Sequence, residues 1–395
     1  MGRLTIIDGF RGFFLLFMAV VHFGGLTGSW LAKLNHHSLG FVEDAQGFVF
    51  VSGLMVGLVY GRKFLKGPTV ARIAGPLMAR VRTIYSHQAG LIAILLVTAL
   101  ALGAAAPRDL QPYVQAPATF TLSSLALVSS SAHMGILPMY MFFMAVAPFA
   151  FWMLHRGLAA PFLLLMVVGW LLAQTGLAGF AMYRLQLALG EIGVPARFGL
   201  YFNALAWQVL FFAGLWFGFR MAEGRLDLGF LREEQYRVSF FIALGAVAFL
   251  GVWDRVVEWQ LLGEDGTRRF IASTHRSVLS YVYPIAFALD LFVVVWLLQA
   301  GRRDPLAWVR QASAWLEWVF TRPALVMLGR HSLHVFSAHI LVYYALAVLL
   351  TRVDPSPFAR EAITVAAVAA LWLAAWGRTR QQERAAAERL AARAG

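Results

Sequence analysis

An arginine and a histidine, Arg11 and His22, stand inside the apolar run LTIIDGFRGFFLLFMAVVHF (4–23), with the carboxylate of Asp8 one turn before the arginine. A helix turns about 100° and rises about 1.5 Å per residue, so Arg11 and His22 fall within roughly 20° of one line, about 16 Å apart along the axis. Asp8 is spaced i, i+3 from Arg11, near enough to fix the guanidinium by an ion pair, which is a structural role. A second run, LGRHSLHVFSAHILVYY (328–344), carries Arg330, His331, His334 and His339, and His339 lies about 12 Å deeper than His331. Ionisable groups in apolar helices are costly and face a protein interior or a polar cavity. Two readings stay open at this point: a structural ion pair with hydrogen-bonded histidines, or the lining of a passage for a reacting ligand. No acidic residue shares the second run and no zinc spacing appears, so no metal site is expected.

The helices that position these groups must be membrane spans. Of 395 residues, 60% are hydrophobic and 13% charged, with a mean hydropathy of +0.69, values that exclude an ordinary soluble domain. A window of about 20 residues finds apolar stretches near 10–28, 47–61, 85–106, 137–154, 160–176, 203–219, 238–253, 278–299, 332–350 and 361–376. The expected fold is therefore an all-α polytopic membrane protein of about ten transmembrane helices. The first segment holds internal charge and no small-residue cleavage site, so it reads as a retained span. There is no cysteine, which removes disulfides, thiolate nucleophiles and cysteine-ligated metals.

With the N-terminus inside, the inner segments hold 22 of the 33 Lys and Arg residues and the outer loops 10, which places both termini in the cytoplasm. That asymmetry, with attraction to anionic headgroups of the bilayer, accounts for the net charge of +13 without a nucleic-acid partner. Residues 1–377 read as one transmembrane domain and 378–395 as a basic cytoplasmic tail. After the second span, YGRKFLKGPTVARIAGPLMARVRTIY places Arg62, Lys63, Arg72, Arg80 and Arg82 on the inner side. Such a cluster either anchors the chain to the membrane or pairs with the phosphates of a polyanionic cofactor. Ser52 and Gly53, in GFVFVSGLMVGL, permit a close helix contact or a ligand's approach to the backbone. On the outer side, NHHSLGFVEDAQ supplies His36, His37, Glu43 and Asp44, and WDRVVEWQLLGEDG supplies Trp253, Asp254, Glu258 and Trp259. Aromatic faces beside carboxylates hold sugar rings, although interfacial tryptophans also form the ordinary membrane belt.

The motifs IDGFRG with Arg11 and His22, FVFVSG, ARIAGPLMARVRTIY and LGRHSLHVFSAH, in this order over much of the chain, resemble the membrane acyltransferase-3 superfamily. Within it, GFVFVSGL and the ten-span layout are most similar to the OpgC-type proteins, succinyltransferases of osmoregulated periplasmic glucans. The resemblance implies an acyltransferase-3-like helical bundle in the bacterial inner membrane that carries an acyl group from cytoplasmic acyl-CoA to a carbohydrate hydroxyl outside. The donor would be succinyl-CoA (or acetyl-CoA), with no permanently bound cofactor. Arg11, by the family's matching arginine, would act on the CoA phosphates or the thioester carbonyl, with Arg330 and the basic cluster beside it as cofactor-binding candidates. His339 matches a late family histidine and would orient His22 or polarise the carbonyl. His22 suits a general base, since histidine titrates near ambient pH. Direct transfer is favoured over an acyl-enzyme on His22 or Ser52. The remaining alternatives are an O-acetyltransferase of another envelope glycan and a proton-coupled transporter, which would also bury ionisable groups. A homodimer would be unsurprising.

Overall fold

The computed structural model describes residues 2–33, 40–193 and 201–394. In chain order the helices are α1 (Gly2–Thr27), α2 (Asp44–Leu65), α3 (Val70–Leu102), α4 (Gln111–Gln115), α5 (Pro117–Leu125), α6 (Ile136–His155), α7 (Ala159–Gln174) and α8 (Leu177–Glu191). There follow α9 (Ala204–Ala222), α10 (Glu234–Glu258), α11 (Gly263–Ser273), α12 (Val282–Gln299), α13 (Ala307–Phe320), α14 (Pro323–Arg330), α15 (Ser332–Leu350) and α16 (Pro357–Ala394). No strand occurs among the described residues.

Nine of these helices, α1, α2, α3, α6, α9, α10, α12, α15 and α16, are long and apolar enough to cross a bilayer. The chain is a multi-pass membrane protein, since an α-helix satisfies its own backbone groups and can therefore lie in hydrocarbon. The tenth expected span, near 160–176, is α7, which pairs with α8 across a bend of 52°. The break falls at Gly176, whose φ of +70° is left-handed and ends the helical hydrogen-bond ladder. The stretch 70–82, expected as part of a basic loop, is helical from Val70 even though Pro76 lies inside it. Residues 378–394 continue the last span as one 38-residue helix.

The chain divides into two compact units, one made of Met1–Ser38, Glu43–Phe48 and Val294–Gly395, the other of Leu39–Val42 and Val49–Val293. In the first, α1 packs on α13, α14, α15 and α16. Glycines set how closely α1 approaches: a Cβ on Gly9 would collide with the carbonyl of Phe320, one on Gly12 with that of Leu325, and one on Gly329 with that of Asp8. Small residues at these positions let helix backbones touch, and in lipid close packing takes the place of the hydrophobic drive between helices. In the second unit a similar seam joins α2 to α9, where Gly53 and Gly57 meet the carbonyls of Phe211 and Leu215, while Gly214 and Gly218 meet those of Phe50 and Leu54. Phe64, Phe151 and Phe219 close the far end of that seam in one aromatic cluster.

Candidate active site on the first helix

Helix α1 carries both groups from which the sequence reading began, and the first unit supplies a partner for each. At the Arg11 end, the guanidinium donates to Ser332 Oγ and stands 3.7 Å from Asp8. Asp8 also faces Arg330 at 3.7 Å. The i, i+3 pair expected from spacing is therefore one edge of a network of two guanidiniums, one carboxylate and one hydroxyl. The Arg11 and Asp8 side chains are only 14% and 16% exposed, whereas that of Arg330 is 61% exposed. The network thus leads from a buried cation to one open to solvent.

The local sequence explains this placement. Helix α14 ends at Arg330, His331 leaves helical geometry with ψ at 25°, and α15 starts afresh at Ser332. That break turns Ser332 toward Arg11. His331 bonds Thr379 of α16 through Nε2 at 2.9 Å. Its pKa is pushed below the ordinary 6.5 by burial and then by the charges of Arg378 and Arg330, against the pull of Asp8.

At the other end of the line, His22 Nδ1 lies 3.0 Å from His339 Nε2. The two rings are nearly parallel, with centroids 5.0 Å apart. His339 is 2% exposed, packed beside Phe23 and Phe336, while His22 is half-buried. One hydrogen bond between two imidazole nitrogens requires one of them to carry the proton. With the proton on His22 Nδ1, its Nε2 is left with a lone pair, the tautomer of a general base oriented by a neighbour. Beyond His22, α1 is tied to α16 by Thr27 Oγ1 on Thr364 Oγ1 at 2.8 Å and by Glu361, which accepts from Ser29 Oγ and from the Trp30 N–H.

Glu43 and Asp44 belong to the same unit, where Asp44 opens α2 and is buried. The N–H of Glu43 donates to Gln46 Oε1 at 2.7 Å. His36 and His37 lie outside the described residues. The other candidates belong to the second unit. Ser52 is 2% exposed beside Gly53 in the α2–α9 seam. Arg62 and Lys63 are exposed at the end of α2; Arg72 and Arg82 are exposed on α3, and Arg80 is half-buried there. Arg255 pairs with Asp254 at 2.7 Å and closely with Glu258. Trp253 packs edge-on to Phe270, and Trp259 is 66% exposed at the end of α10.

Three functional candidates were missed in the sequence. Ser332 was visible only as the residue after Arg330 and His331, and nothing in a linear reading says that it reaches a residue 321 positions away. Asp290, a half-buried carboxylate inside α12, is legible in the sequence as an acid in an apolar span. His133 sits between α5 and α6 with a φ of +64°, and burial pushes its pKa down to about 4. Among the described residues no three His, Asp or Glu side chains gather as metal ligands would.

A multi-pass helical membrane protein in which one helix, α1, joins an arginine network at one end and a histidine pair at the other is the class that this geometry defines. A sequence model described as OpgC protein matches residues 3–383. The chain belongs to the OpgC protein family. No curated protein matches the chain significantly, and no solved structure does so either.

Proposed function

We propose that the chain is a membrane O-acyltransferase that moves a succinyl group from cytoplasmic succinyl-CoA to hydroxyls of periplasmic glucans. On this reading it sits in the bacterial inner membrane with both termini in the cytoplasm and is kin to the acyltransferase-3 superfamily. The observation that carries the proposal is that α1 joins α15 twice, by the His22–His339 hydrogen bond of 3.0 Å and by the Asp8–Arg11–Ser332 network. Membership in the OpgC protein family supports it.

In the proposed transfer, His22 Nε2 takes the proton of a glucan hydroxyl as the oxygen attacks the thioester carbonyl. Collapse of the tetrahedral adduct breaks the C–S bond, and the thiolate leaves and takes the proton back from the imidazolium. His339 holds the His22 ring and accepts from its Nδ1–H throughout. Arg11 stands about 16 Å along the helix from His22, far enough to hold the phosphates of a donor whose thioester reaches the histidine. The solvent-open Arg330 extends that anion-binding line. Two roles at two depths suit a reaction whose donor and acceptor arrive from opposite faces.

The test is binding of succinyl-CoA and of acetyl-CoA to the purified protein by isothermal calorimetry, with Arg11→Ala as control. Binding that depends on Arg11 is expected, and the stronger ligand names the acyl group; a preference for acetyl-CoA would point to an O-acetyltransferase. Binding of neither would overturn the donor assignment and return the chain to the transporter class.

A further inference from the structure

Helix α13 plays no part in the proposed transfer, yet its sequence is built for a particular neighbour. At 14 residues it is about 21 Å long, too short for the roughly 20 residues that a span needs. In the chain it falls between α12 and α15, both long and apolar enough to cross the bilayer.

Placed at about 100° per residue, its side chains sort onto three sides. Val309, Ser313, Leu316 and Phe320 form a buried face. Phe320 stacks on Phe10 of α1 with ring centroids 3.7 Å apart, which fixes the helix to the first unit. Roughly 140° around from that face are Trp308, Trp315 and Trp318, at 48%, 63% and 54% exposure. The third side carries Arg310 and Glu317, and Glu317 accepts from Arg302 at 2.8 Å. A helix exposed only to water has no reason to show three indoles on one side, and a helix inside hydrocarbon could not carry the charged side. Cations flank the indoles: the guanidinium of Arg322 lies 4.5 Å over the Trp318 ring, and Arg303 is exposed in the turn before the helix.

We propose that α13 lies in the membrane–water interface, its tryptophan face at headgroup level, and that Arg303 at one end and Arg322 at the other each pair with the phosphate of an anionic phospholipid there. Indoles prefer this layer because one edge is apolar and the N–H is polar, and basic residues beside an apolar helix face attract anionic headgroups. Adjacent spans hold α13 at the membrane surface, so the bilayer is the occupant already present. The assignment is independent of acyl transfer and can fail without touching it.

The chain has no cysteine, so single probes can be placed directly. Nitroxide labels at Trp315→Cys and, separately, Arg310→Cys are read by power-saturation resonance in vesicles of phosphatidylcholine with phosphatidylglycerol. Oxygen should relax the label at 315 more strongly than a water-soluble nickel chelate does, and the order should reverse at 310. Nickel access at both sites, or access by neither relaxant at 315, would overturn the interfacial placement. Lipid retention by native mass spectrometry tests the headgroup: the protein should keep phosphatidylglycerol over phosphatidylcholine several-fold, and Arg303→Gln with Arg322→Gln should abolish that preference. Equal retention by the unaltered protein, or a preference unchanged in the double variant, would overturn the phosphate site. Both arginines are exposed, so the variant keeps the buried packing of α13, and the pair Arg303→Lys with Arg322→Lys should restore the preference.

Discussion

The two halves of α1 hold their functional groups by opposite means. Around Arg11 the helix is locked: Gly9 and Gly12 admit the carbonyls of Phe320 and Leu325, and the guanidinium is held by Asp8 and Ser332. Around His22 the ring hydrogen-bonds that of His339, and Gly25, three residues on, has open space where a Cβ would go. Arginine remains charged at any pH the protein meets, so it can be clamped without loss of function. An imidazole that must take and return a proton needs a partner that fixes its tautomer. The difference is what a holding site and a proton-transfer site on one rigid rod would require.

The sharpest way to break the comparison is to add a side chain to the locked half. Gly12→Val forces two backbones apart and should destabilise the protein by about 3 kcal/mol or more, the upper range for overpacking, with a lowered thermal midpoint in detergent. Gly25→Ala on the open half should lie within about 0.5 kcal/mol of the unaltered protein. Equal losses would mean that the two halves are packed alike.

The next effect in size concerns the chemistry. His22→Ala should lower transfer by about 1,000-fold, within the range for loss of a general base, while the thermal midpoint and Arg11-dependent donor binding stay unchanged. Removing only the orienting partner should cost less. His339→Phe keeps the aromatic packing and deletes the acceptor, so kcat should fall about 10-fold, the worth of one hydrogen bond to a reacting group, with an altered pH profile and an unaltered donor KM. A pH profile identical to the unaltered enzyme would reduce His339 to a packing residue. At the locked end, Ser332→Ala removes one donor–acceptor pair beside a guanidinium that keeps Asp8. Donor affinity should weaken by about 1 kcal/mol, roughly five-fold, with kcat unchanged.

Much of this contrast was legible in the chain itself. Arg11 and His22 share a helical line by arithmetic, and the apolar windows located the nine long helices because hydrocarbon length is a strict constraint. The Asp8–Arg11 pair followed from local spacing. Contacts between distant segments did not follow: Ser332 on Arg11, Arg330 on Asp8 and Thr364 on Thr27 depend on α14, α15 and α16 packing around α1. The bend at Gly176 and the separate α14 were also hidden, since hydropathy reports where a segment is apolar and not where its backbone turns. The contacts of Trp253 with Phe270 and of Glu258 with Arg255 were likewise not legible as such in the linear sequence.

The smallest expected effect tests whether the locked end ignores pH. His331 is the titratable base nearest the Arg330 end of the network, and burial with the charges of Arg378 and Arg330 holds its pKa below 6.5. Its neutral form is therefore favoured at pH 6.5 and above, and the imidazole adds little to the cationic charge offered to a donor's phosphates there. Donor affinity should change little between pH 8 and 7, and to the same extent in the unaltered protein and in His331→Gln. Below pH 6.5 the sign of the stability effect is fixed. The unfolded chain then binds a proton that the fold resists, so His331 contributes stability above its unfolded pKa and that contribution is lost as pH falls toward the folded value. His331→Gln should make the thermal midpoint slightly less sensitive to acid between pH 6.5 and 5. A steeper dependence in the variant would mean that the charged form is favoured in the fold, and that the Arg11 end is a titrating site after all.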